Sequence, residues 1–252
     1  NSTSERINLE SSGNLLVVKT DNYEAKLQGV PAEEFPIIPT IENSANNFET
    51  AGEVLAGVLS QVGVAAATND IKPELNSVLF DVQVDSLVCA ATDGFRLAEK
   101  RFPQNTISLK IEEPLKALVP LKTALEIARI FSASDRVQVF FDEHQVMVKD
   151  EHTTLISRLI DGSYPEYHAI IPKEVPQEIV VSKEEFSSAV KLVSNFSGKS
   201  SDIKLKFSSQ ESIDLFAANQ AVGENVYKVE TKKQKGSAVK EVVFNWRYFF
   251  DG

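Results

Sequence analysis

The 252-residue chain has little of what marks several classes of protein. Its single cysteine, Cys89, excludes an internal disulfide and a cysteine-rich metal site, which fits a reducing compartment. No apolar run approaches the roughly 18 residues that a membrane helix needs, and the first residues carry no basic and apolar signal. We therefore expect a cytoplasmic protein with no membrane contact, and we expect Cys89 to be buried in a strand.

Short catalytic and cofactor-binding motifs are also missing. The chain has no GxGxxG, P-loop, GxSxG or HExxH sequence. Its three histidines, His144, His152 and His168, lie at no metal-binding spacing, and the first two fall in or beside expected β-turns. The sequence therefore predicts a protein that is not an enzyme and that uses no cofactor or metal.

Positive charge is in the minority. With 26 basic and 36 acidic residues the formal net charge is −10, whereas a protein that grips nucleic acid tightly usually has a strongly basic face. Residues 49–71 contain no lysine or arginine at all, so a helix there would bring no charge to a phosphate. Net charge describes the whole surface only, and a local basic lining can coexist with an acidic exterior.

What the chain does have is an internal repeat. Residues 6–39 and 136–172, about 130 positions apart, both read as three short strands followed by an aromatic-proline pair and a second proline. Phe35-Pro36 in the first copy corresponds to Tyr164-Pro165 in the second. The pattern predicts one unit that ends near residue 44 and another that ends near residue 173.

A second pair of segments supports the repeat. The segment that begins at Leu75 matches the one that begins at Ile203, at an offset near 127 that places Phe80 on Phe207. Further on, LVPLKTALEIARI corresponds to VVFNWRYFFDG, a short strand followed by the start of a helix. We therefore predict half of a unit in residues 1–44, a complete unit in 45–173 and most of a third in 174–252.

Hydrophobic periodicity predicts the elements of these units. Alternation of apolar and polar residues predicts strands at about 78–83, 86–92, 137–142, 145–150 and 154–161. Helical spacing predicts a helix over 49–66, with Val54, Leu55, Val58, Leu59 and Val62 on one face. A second helix is predicted over 122–131 with Leu125, Ala128 and Phe131 on one side and Ile127 at its flank, and in the third unit Phe186, Ala189, Val190 and Val193 repeat the first helix. Helices on one face of antiparallel sheets make this an α+β fold.

Several segments carry a family resemblance. They are AATDGFRLA at 90–98, YPEYHAIIP at 164–172, AEEFPIIP at 32–39 and VVFNWRYFFDG at 242–252. Taken together and in this order, they resemble the bacterial DNA polymerase III beta subunit family, the sliding clamps. The resemblance covers essentially the whole chain, as a piece without the first half of clamp domain 1 and the end of domain 3.

The resemblance implies a fold and a function. The fold would be repeated DNA-clamp domains with antiparallel sheets outside and two helices on the inner face, closed as a homodimeric ring around duplex DNA. The function would be that of a processivity factor, which tethers the polymerase III alpha subunit, the clamp loader and repair polymerases through short peptides. By this resemblance the peptide groove is formed by Leu75, Thr92, Gly94, Phe95, Arg96, Leu97, Pro165, Ala169 and Ile170. Phe95 and the pair His168-Ala169 depart from the usual family residues.

Contact with DNA is the second implication of the resemblance. Clamps line their channel with helices whose cations meet phosphates without reading bases, which permits sliding. The candidate DNA-facing residues here are Lys72, Lys122, Arg129, Lys183, Lys191 and Lys199.

Two other functions stay open on the residues alone. The chain could be a cytoplasmic or surface β-rich repeat module that binds proteins or glycans. It could also be an enzyme that uses carboxylates across a unit boundary, although no sequence feature favours one.

Overall fold

The structure, a computed structural model, describes residues 6–35, 41, 46–69, 71–175, 177–207, 211–236 and 240–251. The chain divides into two compact units, residues 1–40 and residues 41–252. None of the described helices is long and apolar enough to span a bilayer.

The first unit is a three-stranded antiparallel meander. Its strands are β1 (Asn8–Ser12), β2 (Leu15–Thr20) and β3 (Tyr23–Gln28), paired in that order. Gly13 occupies the β1–β2 turn at φ +57°, a conformation that glycine adopts without steric cost. A short 3-10 helix follows at Ala32–Glu34. The predicted Phe35-Pro36 match cannot be followed further, because residues 36–40 lie outside the described ranges.

The second unit begins with the segment that the sequence predicted as a complete repeat. Its strands are β4 (Asn46–Thr50), β5 (Ser77–Val82), β6 (Leu87–Thr92), β7 (Leu97–Arg101), β8 (Ile107–Lys110), β9 (Leu115–Pro120), β10 (Val137–Phe141), β11 (Gln145–Lys149) and β12 (Thr154–Arg158). They form two antiparallel sheets, in the orders β12-β11-β10-β4-β8 and β7-β6-β5-β9. The five strands that alternation predicted lie within one to three residues of their expected bounds.

Two helices pack with these sheets around one core. They are α1 (Gly52–Gly63) and α2 (Leu121–Phe131). Apolar side chains from both helices and from both sheets form a single buried cluster, in which Phe48 contacts the rings of Phe80, Phe102 and Phe141. Cys89 is 0% exposed on β6, as expected. This is the predicted α+β arrangement.

The predicted start of the first helix was wrong. Residues 49 and 50 belong to β4, where Glu49 lies opposite Gln138 of β10 and Ser108 of β8, and the helix begins only at Gly52. Helical spacing continues backwards through these positions. Pairing of β4 on both of its edges outweighs that local preference.

One face of the second helix also differs from the prediction. Leu125 is 45% exposed, whereas Ile127, predicted at the flank, is buried with Ala124, Ala128 and Phe131. The side chain of Leu125 lies instead beside α1: its Cδ2 atom is 3.3 Å from the position that a Cβ on Gly63 would occupy. The buried stripe is therefore rotated by about one residue from the one we expected.

The last part of the second unit repeats the order of its first part. Its elements are β13 (Glu178–Val181), α3 (Lys183–Ser194), β14 (Asp202–Lys206), β15 (Ser212–Asn219), β16 (Gly223–Lys235), β17 (Glu241–Asn245) and α4 (Trp246–Asp251). The strands form one sheet in the order β13-β16-β15-β14-β17. Here β14 pairs with β15 and β17, as β5 pairs with β6 and β9, so the sequence correspondence is also a correspondence of topology.

Candidate partner-binding groove

The turn between β6 and β7 is held by side chains on its own backbone. The Thr92 hydroxyl donates to the carbonyl oxygen of Arg96 at 2.6 Å and accepts from the Gly94 amide at 3.1 Å. One carboxylate oxygen of Asp93 accepts from the amides of Phe95 and Arg96, both at 2.9 Å. Gly94 has φ +91°, which favours glycine at that position. These bonds fix the turn, at which Phe95 is 88% exposed.

A pocket of about 340 Å³ lies beside this turn. Three of the predicted groove residues line it, namely Leu75, Gly94 and Phe95. Lys72, which was predicted to face DNA, lines it as well. The sequence predicted no binding role for its other lining residues, which are Ala67, Asn69, Ile71 and Asp93. Ile71 is 85% exposed next to the equally exposed Phe95, and two large apolar side chains left in water beside a pocket are typical of a binding surface.

Leu97 lies in a separate apolar cluster on the same sheet. It is half-buried and packs against Leu79, Ala90 and Leu118 together with Tyr164 and Tyr167. The hydroxyl of Tyr167 donates to Glu99 at 2.8 Å, so burial first and the Glu99 carboxylate second raise the pKa of Tyr167 well above its usual range. The two tyrosines therefore anchor the segment that follows β12 onto the sheet.

The pKa of Tyr164 is also shifted. Burial raises it to about 12, and the backbone of Thr92 opposes that rise. The Tyr164 hydroxyl has no hydrogen bond of good geometry among the described residues.

The remaining predicted groove residues stand in the segment that these tyrosines anchor. Pro165, Ala169 and Ile170 are exposed, the last two on the 3-10 helix Tyr167–Ile170. The segment passes close to the loop that carries Leu75. A Cβ on Gly162 would lie only 3.7 Å from the Cβ atom of Glu74, the residue before Leu75. None of these three residues lines the pocket beside the turn, so their place in a groove stays a prediction.

Arg96 connects the turn to α4, which the sequence did not foresee. Its Nε atom donates to Asp93 at 3.1 Å, an Nη1 hydrogen bond reaches Asp251, and the guanidinium lies 4.7 Å from the Tyr248 ring centre. Burial tends to lower the pKa of Arg96, but the bonds to Asp251 and Asp93 raise it, and the pKa is raised overall. Arg96 is therefore held on both sides by partners within the protein.

The candidate DNA-facing cations are all exposed. Lys122 and Arg129 lie on α2, where Arg129 pairs with Glu126 at 2.7 Å, and Lys183 and Lys191 lie on α3. Lys199 follows α3, whereas Lys72 lines the pocket beside Phe95. That they face DNA stays a prediction.

The histidines have ordinary surroundings. The amides of His144 and His152 donate to the carboxylates of Asp142 and Asp150 in two tight turns, as expected for turn residues. His168 stacks on the Tyr167 ring with centroids 4.1 Å apart, and its Nε2 atom lies 3.6 Å from Glu99.

Comparison with known proteins identifies the family to which this fold is related. The profile of the DNA polymerase III beta subunit central domain matches residues 49–166, and that of its C-terminal domain matches residues 168–252. The chain is 26% identical over 240 residues to the beta sliding clamp of Bacillus subtilis, covering 94% of this chain and 62% of that relative. It is 24% identical to the Staphylococcus aureus clamp (strain Mu50), covering 93% of this chain and 61% of the relative. The chain thus spans less than two thirds of the relatives it matches.

Solved structures agree with the sequence comparison. The structure of the DNA polymerase III beta subunit from Pseudomonas aeruginosa superimposes with a TM-score of 0.87 at 26% identity, over 97% of this chain and 66% of that one. The sliding clamp from Bacillus subtilis also gives 0.87, at 27% identity, over 97% of this chain and 64% of that one. With matched domains, shared fold and collinear order all in agreement, the chain belongs to the DNA polymerase III beta subunit family.

Proposed function

We propose that this protein acts as a DNA sliding clamp, a processivity factor without catalytic activity of its own. The observation that carries the proposal is the consecutive match of the central and C-terminal clamp domains, which together account for most of the chain. In this role it encircles duplex DNA as a homodimeric ring and tethers the polymerase III alpha subunit, the clamp loader and repair polymerases. No comparison favours a surface module for proteins or glycans.

The domain limits are part of this proposal. Residues 45–173 form the second clamp domain and residues 174–252 the start of the third, with the first domain ending at residue 44. The matched ranges 49–166 and 168–252 are compatible with these limits. The boundary between residues 44 and 45 lies outside the described residues.

Partner peptides bind, in this proposal, across the turn between β6 and β7. The exposed Phe95 and Ile71 and the pocket that contains Leu75 supply apolar surface, and the tyrosine-anchored segment with Pro165, Ala169 and Ile170 forms a second side. A peptide anchored by a few hydrophobic side chains suits such a surface. A sliding clamp from Pseudomonas aeruginosa bound to griselimycin shows that a relative binds a ligand.

Duplex DNA is contacted, in this proposal, through phosphates alone. The exposed cations on α2 and α3 are the candidates, and contacts between such cations and phosphates carry no sequence information. Because the whole chain has a net charge of −10, we expect the contact to be weak and sensitive to salt.

A peptide titration tests the groove. A fluorescent, glutamine-led hydrophobic clamp-binding peptide is titrated into the protein and into the Phe95→Asp variant. Because Phe95 is almost entirely exposed, the substitution leaves the fold unchanged, but it places a charge where an apolar anchor would be desolvated. We expect saturable binding at micromolar peptide and a loss of at least about tenfold in the variant. Equal affinity for both proteins would refute the assignment of the groove.

Leu97→Asp is the second variant for this titration. Leu97 packs on the cluster that contains the buried Tyr164 and Tyr167, so the substitution could also disturb the fold. Urea denaturation of the variant must therefore show an intact fold before a loss of peptide binding is assigned to the groove. The exposed Val222→Asp, on the loop between β15 and β16, is the control and should bind like the parent protein.

A further inference from the structure

A second pocket, of about 800 Å³, lies between the β6–β7 turn and the helices of the last part of the chain. We call it the α3–α4 pocket. Its lining includes the cations Arg96, Lys191 and Arg247, the aromatic residues Trp246 and Phe250, and Asp251. It thus combines cationic and aromatic side chains, and Arg96 belongs both to its wall and to the turn of the proposed groove.

The charge of this pocket is opposite to that of the chain as a whole. Two of its cations, Lys191 and Arg247, are exposed, and neither has a carboxylate within 4.0 Å among the described residues. Its one acidic lining residue, Asp251, is already bound to Arg96. In a protein of net charge −10, two cations without an acidic partner in one pocket indicate a site for an anion.

Each of the two cations also lies near an aromatic ring. Lys191 Nζ lies 5.6 Å from the centre of the Phe250 ring, and the Arg247 guanidinium lies 5.3 Å from the Trp246 ring. The indole N–H of Trp246 donates to the Ser197 hydroxyl at 3.1 Å, which fixes that ring. Cation–π contact limits the freedom of both side chains, so they would lose less conformational entropy when a ligand binds.

We propose that the α3–α4 pocket binds acidic residues that flank the hydrophobic anchor of a partner peptide. This inference rests on the proposed peptide groove. Phe95 lines the pocket of about 340 Å³ and the next residue, Arg96, lines the α3–α4 pocket, so the two sites meet at one turn. An extended peptide advances about 3.3 Å per residue, and a few residues beyond the apolar anchor bring a carboxylate to the cations. The site therefore selects among partners by charge.

Matched peptides test the charge preference. The neutral probe is the glutamine-led hydrophobic peptide with two glutamines added at each end, and two acidic probes carry glutamates in place of one of these pairs. Each probe is titrated into the parent protein, into Lys191→Gln/Arg247→Gln, and into the control Lys232→Gln/Lys233→Gln. The control has the same change in net charge on exposed residues of β16, outside both pockets.

We expect one acidic probe to bind the parent protein about fivefold more tightly than the neutral probe, as two partly exposed ion pairs allow. This preference should disappear in Lys191→Gln/Arg247→Gln, persist in the control, and fall at high salt. Equal affinities for acidic and neutral probes would overturn this inference and leave the groove intact. If no probe binds, the groove and the pocket both fail. Lys191 is also a candidate for contact with DNA, so a DNA duplex is titrated into the same variants. If the double variant weakens duplex binding and leaves the peptide preference unchanged, the cations serve phosphates and the inference is wrong.

Discussion

Replacing Gly52 with alanine would place a methyl group 1.8 Å from the carbonyl oxygen of Phe131 and 2.8 Å from that of Ser134. Both atoms belong to the backbone, one on the last residue of α2 and the other in the turn that follows, so no rotation of a side chain can make room. The Gly52 amide also donates to the Ser134 carbonyl at 2.8 Å, a bond that any retreat of the chain would break. The substitution therefore forces apart the start of α1 and the end of α2.

The magnitude follows from these contacts. Overpacking of a tight interior costs about 1–3 kcal/mol, and a lost buried hydrogen bond adds roughly 1 kcal/mol. We therefore expect Gly52→Ala to lower the free energy of unfolding by about 3 kcal/mol. With a urea dependence on the order of 2 kcal/mol per molar, the midpoint falls by about 1.5 M.

Gly57 provides the matched control on the same helix. A Cβ at Gly57 would meet no atom within 4 Å, and its position inside α1 means that alanine is the better helix former. Gly57→Ala should raise the free energy of unfolding by about 0.5–1 kcal/mol. Urea denaturation followed by circular dichroism checks both variants. Equal midpoints for Gly52→Ala and the parent protein would refute the described contact between α1 and α2.

Three further predictions concern single side chains. The folded pKa of Tyr164 lies above its unfolded value, so its contribution to stability is complete below about pH 10 and is lost as the pH rises towards 12. In thermal denaturation Tyr164→Phe should lose less stability than the parent protein between these pH values, and an equal loss would contradict the raised pKa of Tyr164. Burial raises the pKa of Cys89, so a thiol reagent should modify it in urea and not in buffer, and rapid modification of the folded protein would show that β6 is accessible. Asp251→Asn removes an anionic partner of Arg96, and because the pair is partly exposed we expect the free energy of unfolding in urea to fall by at most about 1 kcal/mol. A larger fall would mean that Arg96 is more deeply desolvated than described.

The strands and the repeat could be predicted because their signals are local. Alternation placed β5, β6, β10, β11 and β12 within a few residues, and equivalent apolar positions revealed that β14 and β15 correspond to β5 and β6. The start of α1 could not be predicted in the same way. The identity of β4 depends on its pairing with β8 and β10, which lie about 60 and 90 residues further along the chain.

The candidate site could be predicted only in part. The sequence TDGFRLA indicates a turn, and its threonine and aspartate supply the hydrogen bonds that such a turn needs. That Arg96 would reach Asp251 could not be read from the sequence, because 155 positions separate the two residues. The pairing of Tyr167 with Glu99 was missed for the same reason, since it joins β7 to a segment that begins after β12.

A crystal structure of this protein with the glutamine-led hydrophobic peptide would test the proposed groove without any assumption about affinity. We expect an extended peptide across the β6–β7 turn, with an apolar side chain in the pocket that Leu75 and Phe95 line. We also expect the peptide to contact Ile170, which is exposed in the unbound protein. A peptide that lies on another surface, with this pocket empty, would contradict the proposed clamp groove.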